Sequence, residues 1–290
     1  DFHFGDGFVR IPIETKEKYV LESTFCDGYN KEKYLVAIST QIGCASGCKF
    51  CELAEHGLKR NLSQEEILDQ VKITLQTAKK RGYDIFSKPI KVSMVRGGEP
   101  LMNKELPNSL ENMNEYAPLQ IKMSSIAPKN RFARNNYKRL VNSAKNYDNT
   151  VQFQISLNST NQEYRQSLVL IPLMNFKEIR EIGELWANEV PNPRKIDLTF
   201  TINKKTPMDA EEISDILTPD LFAIRLRECL PTDRSIKNDI KIIDPDKVNQ
   251  IKNSFEDSGY LIIPGSPGET ELDFKMAPGQ FIDIYNMMKK

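Results

Sequence analysis

Three cysteines that lie close together early in the chain are the residues best suited to chemistry. Cys44, Cys48 and Cys51 follow the spacing C-x3-C-x2-C. Thiolates are the ligands that iron–sulfur clusters prefer. Three of them can hold three irons of a cubane cluster and leave the fourth iron without a protein ligand, open to a substrate. The spacing therefore predicts a [4Fe-4S] cluster with one open iron.

Two other interpretations of these cysteines stay open. His56 is near enough in sequence to complete a structural Cys3His zinc site, which needs four ligands. Three buried structural cysteines are less favoured, because thiols in loops are accessible and reactive. Cys26 and Cys229 stand alone, and we expect each to be an ordinary half-buried side chain. An odd count of 5 cysteines, three of them clustered, predicts a reduced, cytoplasmic protein and no disulfide framework.

The composition is that of a neutral globular protein. The 290 residues include 40 Lys and Arg against 40 Asp and Glu, so no overall field attracts nucleic acid or an anionic membrane. Hydrophobic residues make up 39% and charged residues 28%, which argues against a disordered chain. No apolar run approaches the roughly 20 residues of a membrane helix, and the start at Asp1 shows no signal-peptide pattern. We expect no membrane partner.

Short apolar runs alternate with amphipathic stretches along most of the chain. The runs are bounded by Gly, Pro, Asn or Asp, which is typical of strands, and they cover residues 34–42, 90–95, 119–124, 150–157, 195–202, 222–227 and 260–263. Helices are predicted from Ser63 to about Arg81 and over residues 130–146, 176–190, 210–217 and 246–258. This alternation indicates a parallel sheet with helical crossovers. Segments 8–13 and 19–24 alternate differently and predict antiparallel strands at the start.

A second motif follows the second predicted parallel strand. It reads Gly97-Gly98-Glu99-Pro100 and is preceded by Arg96. Glycines let a backbone approach a ligand closely, and a carboxylate at the end of a strand can pair with an ammonium group. Alone, this tetrapeptide would be an ordinary turn. One strand after a triple-cysteine loop, we interpret it as part of a binding site.

Together these motifs resemble the radical SAM superfamily. Its signature is C-x3-C-x-aromatic-C in the loop after the first barrel strand, and Phe50 occupies the aromatic position. The resemblance implies an α/β fold, a partial (β/α)6 TIM-like barrel with a small N-terminal antiparallel β extension. We assign residues 1–33 to the extension and 34–290 to the barrel with its C-terminal elements. Active sites of parallel barrels lie at the C-terminal mouth.

The resemblance also implies the cofactors and an enzymatic activity. Cys44, Cys48 and Cys51 would hold a [4Fe-4S] cluster whose open iron binds S-adenosylmethionine (SAM), with Glu99 on its amino group. An electron from a flavodoxin- or ferredoxin-type reductant would cleave SAM to a 5′-deoxyadenosyl radical, which abstracts hydrogen from a substrate. The residues expected to bind the cofactor are Phe50, Gly97, Gly98, Glu99, Ser124, Ser125, Ser156 and Asn158.

Within the superfamily, the chain is most similar to methyltransferases that modify adenine C2 or C8 of ribosomal RNA. The similar segments are residues 39–44, 57–63, 98–103 and 155–158, followed by Arg165 and Pro172. In that family, the segment that ends at Asn158 reads Ser-Leu-His, so Asn158 replaces a histidine. The resemblance implies that Ser156 and Asn158 contact SAM.

Two departures from that family concern its methyl-handling cysteines. Pro278 stands where the methyl-accepting cysteine belongs, and Ala37 stands where the second cysteine belongs. Neither residue can replace a sulfur nucleophile, so we do not expect methyl transfer by that route. The family's accessory N-terminal RNA-binding domain also has no match. A basic helix is expected to be an ordinary charged surface; its cations are Lys129, Arg131, Arg134, Lys138 and Arg139.

The substrate expected on these grounds is a small molecule or nucleotide, with RNA possible but not favoured. Arg96, Arg225, Arg227 and Glu228 lie near strand ends and can bind an anionic substrate or form structural ion pairs. Cys229 can donate a hydrogen atom. Cys229, Glu228 and Arg96 are thus the candidate catalytic residues. Two alternatives remain, an RNA methyltransferase that uses Cys26 or Cys229 in new roles and a non-catalytic iron–sulfur or zinc protein.

Overall fold

A computed structural model describes residues 2–4, 7–27, 32–115 and 118–265. The strands are β1 Phe2–Phe4, β2 Phe8–Glu14, β3 Val20–Cys26, β4 Tyr34–Ile38, β5 Gln41–Ile42, β6 Arg60–Asn61, β7 Ile90–Met94, β8 Leu119–Ser125, β9 Val151–Ser156, β10 Ile196–Ile202, β11 Phe222–Glu228 and β12 Ile262–Ile263. The α-helices are α1 Leu53–His56, α2 Gln64–Lys80, α3 Leu106–Asn112, α4 Arg131–Lys145, α5 Gln162–Ser167, α6 Phe176–Glu189, α7 Ala210–Ser214, α8 Asp233–Lys237 and α9 Pro245–Asp257.

One sheet of ten strands organises the described chain, in the order β1-β2-β3-β4-β7-β8-β9-β10-β11-β12. In this sheet, β4, β7, β8, β9, β10, β11 and β12 pair in parallel, each with the next. Strands β5 and β6 form a separate antiparallel pair. The strands β1 to β4 pair antiparallel. The predicted α/β partial barrel with an antiparallel N-terminal extension is therefore confirmed. The assignment of domain boundaries at residue 33 stays a prediction.

Helices cover one face of this sheet because their sequences specify where they start and which side is apolar. Helix α2 begins with a capping box, in which the Ser63 side chain accepts from the backbone N–H of Glu66 and Glu66 returns the bond. Helix α6 has the same arrangement between Asn175 and Glu178. Apolar residues on the inner sides of these helices join the outward residues of the strands in one core. No helix in the described ranges is both long and apolar enough to cross a membrane.

The first predicted parallel strand, residues 34–42, is two elements in the structure. Strand β4 ends at Ile38, and β5 turns aside to pair with β6. The break occurs because the backbone of Ser39 bonds the buried amide of Gln70, with its N–H to Oε1 at 2.9 Å and its carbonyl to Nε2 at 3.0 Å. The short helices α1, α3, α5 and α8 were not predicted; none of them has more than 7 residues.

Candidate active site

A cavity of about 180 Å³ at the C-terminal mouth of the barrel is lined by all three clustered cysteines. Cys44, Cys48 and Cys51 belong to the loop of residues 43–51 that follows β5, called the cluster loop below. Burial raises the pKa of each thiol, to about 12 for Cys51. Repulsion from Cys51 and Cys44 adds to the rise at Cys48, so the three sulfurs share one environment.

The three thiols suit a cluster better than a single ion. No group of three or more His, Cys, Asp or Glu side chains in the described ranges lies close enough to hold one metal ion. His56 is therefore not assembled with the cysteines into a Cys3His zinc site. A cubane cluster binds each thiolate through a different iron, so it spaces its ligands apart. Three sulfurs around one cavity fit that requirement.

Helix α8 and the residues on either side of it hold the cluster loop from one side. Three consecutive carbonyls of the loop accept hydrogen bonds from this segment. The Arg234 Nε donates to the carbonyl of residue 48 at 2.9 Å, the Asn238 amide to that of residue 49 at 3.0 Å, and the Thr232 hydroxyl to that of residue 50 at 3.3 Å. Arg234 also pairs with Glu55 at 2.6 Å. The loop backbone is fixed by residues far away in sequence, which the motif could not reveal.

A second segment, residues 168–170, holds the cluster loop from the other side. The N–H of Lys49 donates to the carbonyl of Leu168, and the N–H of Leu170 donates to the carbonyl of Ser46, both at 2.9 Å. Arg165 anchors this segment, since its buried guanidinium donates to the carbonyls of Ile126 and Met174. The Arg165 that the resemblance singled out thus supports the loop structurally.

Glu99 is a buried carboxylate whose hydrogen-bond donors in the described part of the chain are all neutral. Its oxygens accept from the Ser125 hydroxyl at 2.6 Å and from the N–H groups of Ile126 and Leu101 at 2.9 and 3.0 Å. Burial outweighs these bonds and raises the pKa of Glu99 to about 7. Because the residue lines the thiol cavity, an ammonium group placed there would stabilise the charged form.

The two glycines before Glu99 pack against protein rather than against open space. A side chain at Gly98, where φ is +99°, would overlap the Cβ of Gln41, and one at Gly97 would overlap Ser39. The carbonyl of Gly97 accepts from the N–H groups of Thr40 and Gln41. We expected close approach to a ligand; the close approach in the structure is to the segment after β4. This packing of the two glycines orients Glu99 toward the cavity that the three thiols line.

The remaining predicted SAM contacts lie around the same cavity. Ser124 and Ser156 face each other across β8 and β9, with hydroxyls 3.3 Å apart. Asn158 has φ of +66°, a left-handed backbone that asparagine tolerates better than most residues, and its side-chain oxygen accepts from the N–H of Thr201. With Phe50 and Ser125, these residues line the thiol cavity.

A second cavity, of about 280 Å³, adjoins the first and brings the three candidate catalytic residues together. Cys229, Glu228 and Arg96 all line it. Burial raises the pKa of Cys229 to about 11. Arg96 lies 3.7 Å from the buried carboxylate of Glu22, so a structural ion pair accounts for at least part of its role. Arg227 also lines this cavity.

A comparison of the sequence with protein-family models identifies the superfamily to which the chain belongs. Residues 38–217, more than half of the chain, match the model of the radical SAM superfamily. The chain belongs to the radical SAM superfamily. Members of this superfamily use a [4Fe-4S] cluster and SAM, and this chain is accordingly a radical SAM enzyme.

Several curated relatives are named as RNA methyltransferases. A probable dual-specificity RNA methyltransferase RlmN of Aquifex aeolicus is 30% identical over 214 residues, which are 72% of this chain and 58% of the relative. A probable RNA methyltransferase of Ectopseudomonas mendocina is 29% identical over 73% of this chain and 56% of its own length. The radical SAM chain thus spans a little over half the length of these relatives.

A solved structure shows the same fold. A radical SAM methyltransferase from Sphaerobacter thermophilus is 21% identical, with a TM-score of 0.76 over 94% of this chain and 77% of its own.

The names of the relatives count against our preference for a small molecule over RNA. Ala37 lies within β4, paired with Ser93 and Thr24. The predicted departure at Pro278 lies outside the described residues.

Proposed function

We propose that this radical SAM enzyme directs a 5′-deoxyadenosyl radical at a hydrogen atom of a small-molecule or nucleotide substrate. When bound, the cluster and SAM supply the radical. Cys44, Cys48 and Cys51 hold the cluster, and the residues around it position SAM. The observation that carries this proposal is that the three thiols and Glu99 line a single cavity at the barrel mouth.

In this proposal each polar residue of the cavity has a task. Glu99 binds the amino group of SAM, because a buried carboxylate with neutral donors gains most from an ammonium partner. Ser124, Ser125, Ser156 and Asn158 would hold the carboxylate or ribose of SAM, and Phe50, which lines the same cavity, would help to bind the cofactor. Gly97 and Gly98 set the direction of Glu99. Walls that exclude water protect the radical from side reactions.

The substrate is the part of the proposal on which the relatives and the sequence disagree. A second candidate, methyl transfer to RNA, is favoured by the names of the curated relatives. Against it stand Ala37 and Pro278, which cannot act as sulfur nucleophiles. We propose hydrogen abstraction without methyl transfer, in the cytoplasm, with a flavodoxin- or ferredoxin-type electron donor.

Anoxic reconstitution tests the proposal. The protein loaded with iron and sulfide, given dithionite and SAM, is expected to release methionine and 5′-deoxyadenosine, and Cys44→Ser, Cys48→Ser and Cys51→Ser are each expected to abolish the release. Transfer of the SAM methyl group to RNA, lost in Cys229→Ala or Cys26→Ala, would support the second candidate instead. Protein that binds zinc and leaves SAM intact would contradict both.

A further inference from the structure

The parallel strands present two different surfaces. On the outer face, apolar residues such as Val92, Phe153 and Ile224 pack under the helices. Successive strand residues point to opposite sides, and the alternate positions from β7 to β11, here called the lumen face, run from Lys91 to Arg227. They are Lys, Arg, Gln, Ser, Thr or Asp, with Ala223 the one exception. Interiors of parallel barrels are ordinarily filled by bulky branched apolar residues, so this lumen face calls for a different explanation.

Positive charge exceeds negative charge on the lumen face. Its charged residues are the cations Lys91, Lys122, Arg225 and Arg227 and the carboxylate Asp197. Asp197, 2% exposed, lies 3.1 Å from Arg225 Nη2 and 3.8 Å from Lys122 Nζ. Burial, followed by the charge of Arg225, lowers the pKa of Lys122 to about 7. Asp197 therefore pairs with both Lys122 and Arg225, and Arg225 also donates from Nη1 to the carbonyl of Pro264.

Two polar atoms of the lumen face that line the 280 Å³ cavity lack a partner among the described residues. Gln154 Oε1 and Thr199 Oγ1 are buried and make no hydrogen bond within the described part of the chain. Gln154 is 7% exposed and Thr199 is 3% exposed, and both line the 280 Å³ cavity. The amide nitrogen of Gln154 is already used, since it donates to Ser124 at 2.8 Å. Buried polar groups in proteins nearly always have partners, so these two atoms indicate a ligand.

We propose that the lumen binds the anionic end of the substrate, a small molecule with a phosphate or carboxylate group and an N–H or O–H donor. Arg227 in the cavity wall binds the anion, because guanidinium groups match its oxygens. The charges of Lys122 and Arg225 nearby make the lumen more favourable for that anion. The Thr199 hydroxyl donates to the anion, and Gln154 Oε1 accepts from the donor group. This inference rests on the proposed function, since it names the substrate class of that site.

Access favours a small ligand over a macromolecule. The side chains of Lys122 and Arg225 are 14% and 19% exposed. Arg227, Gln154 and Thr199 line a cavity inside the barrel, which a small molecule can enter and a folded RNA backbone cannot. Glu228 also lines the cavity, and its charge disfavours an anion at that side. The anionic end is therefore directed toward Arg227.

Calorimetric titration of the anoxically reconstituted protein tests this inference, with SAM bound, no reductant present and ionic strength held constant with sodium chloride. The probes are inorganic phosphate and succinate, which separate the two anion chemistries. We expect saturable binding of at least one probe. Arg227→Gln and Gln154→Glu should each weaken it tenfold or more, because a charge-assisted bond is lost or a like charge is introduced.

Matched controls are Arg139→Gln and Gln76→Glu, which make the same changes at exposed positions of α4 and α2 and should bind as the wild type does. Lys122→Met provides a third lumen variant that exchanges a buried cation for an apolar side chain of similar length. Absence of saturable binding, or equal affinity in the lumen variants, would overturn the inference. So would an RNA hairpin that displaces phosphate and depends on Arg227.

Dithionite-driven cleavage of SAM, measured on the same samples, separates this inference from the function on which it rests. Cleavage of SAM without anion binding in the lumen refutes the anion site alone. Anion binding that the lumen variants abolish, without cleavage of SAM, refutes the proposed function and leaves the anion site standing.

Discussion

Several polar groups at the mouth of the barrel have hydrogen-bond partners within the protein, whereas two buried ones in the lumen have none among the described residues. At the mouth, three consecutive carbonyls of the cluster loop accept hydrogen bonds from Thr232, Arg234 and Asn238, and Glu99 accepts three more. In the lumen, Gln154 and Thr199 keep polar atoms without a partner in the described part of the chain. The loop carbonyls and Glu99 thus have hydrogen-bond partners within the protein, whereas these two lumen atoms have none in the ranges that the structure describes.

This difference suggests which parts serve a fixed group and which serve a variable one. A cluster and SAM are the same in every member of the superfamily, so their site can be held rigidly by protein bonds. A substrate site must leave bonds for its ligand to make, at a cost in stability. The predictions below, in order of expected effect, set changes at the mouth against changes in the lumen and on the surface.

The largest effect is expected at Glu99. Glu99→Gln removes the charge that we propose to bind the amino group of SAM, and should weaken SAM binding by about 10- to 100-fold, since a hydrogen bond to a charged group contributes about 1.5–3 kcal/mol. Equilibrium binding of SAM without reductant measures it. Glu184→Gln, an exposed carboxylate on α6, is the matched control. Unchanged affinity in a folded variant would remove Glu99 from the SAM site.

The next largest effect, on the lifetime of the cluster, is expected from the hydrogen bonds that hold the cluster loop against α8. Arg234→Gln removes the bond to the carbonyl of Cys48 and the ion pair with Glu55. We expect the reconstituted cluster to be lost about fivefold faster in air, which corresponds to about 1 kcal/mol. The decay of visible absorbance measures this loss, and Arg180→Gln on α6 is the control. Equal lifetimes would show that Thr232 and Asn238 suffice.

The sequence predicted the mouth well because its motifs are local. Cys44 to Cys51 lie in one loop, and Glu99 lies five residues after the end of β7. The partners that hold the loop could not be predicted in this way. Arg234 is more than 180 residues away from Cys48, and α8 has 5 residues, too few for a periodic pattern.

Most of the lumen face was missed for a different reason, although its signal was present. The parallel strands were interpreted as apolar runs, which is what a sheet buried on both faces produces. Their polar residues in fact recur at every second position, as in Gln152, Gln154 and Ser156 of β9. Of the lumen residues, only Arg225 and Arg227 were predicted to bind an anionic substrate. Burial of such a face depends on closure of the barrel, which no single strand encodes.

A smaller effect, on stability, is expected at Lys122. Its folded pKa of about 7 lies below the ordinary 10.5, so the unfolded chain holds the proton more tightly and the wild type gains stability as pH rises from 7 to 10. Lys122→Met should lack that gain and be more stable at pH 7 by about 1–2 kcal/mol. Urea unfolding of both proteins at pH 7 and pH 9 measures the difference. Parallel pH dependences would place the amine in water, outside the lumen we describe.

The smallest effect is expected from cations on the surface of α4. Lys138 and Arg139 are exposed, and Arg139 bonds the carbonyl of Lys104 and the amide oxygen of Asn108. Replacing both with Gln should change stability by about 0.5 kcal/mol or less, because exposed charged contacts contribute little, and should leave SAM cleavage within about twofold. If the double variant instead lost affinity for an RNA hairpin, with a weaker dependence of binding on salt, α4 would contact nucleic acid. In that case charge on the outside of the barrel, and not in its lumen, would select the substrate.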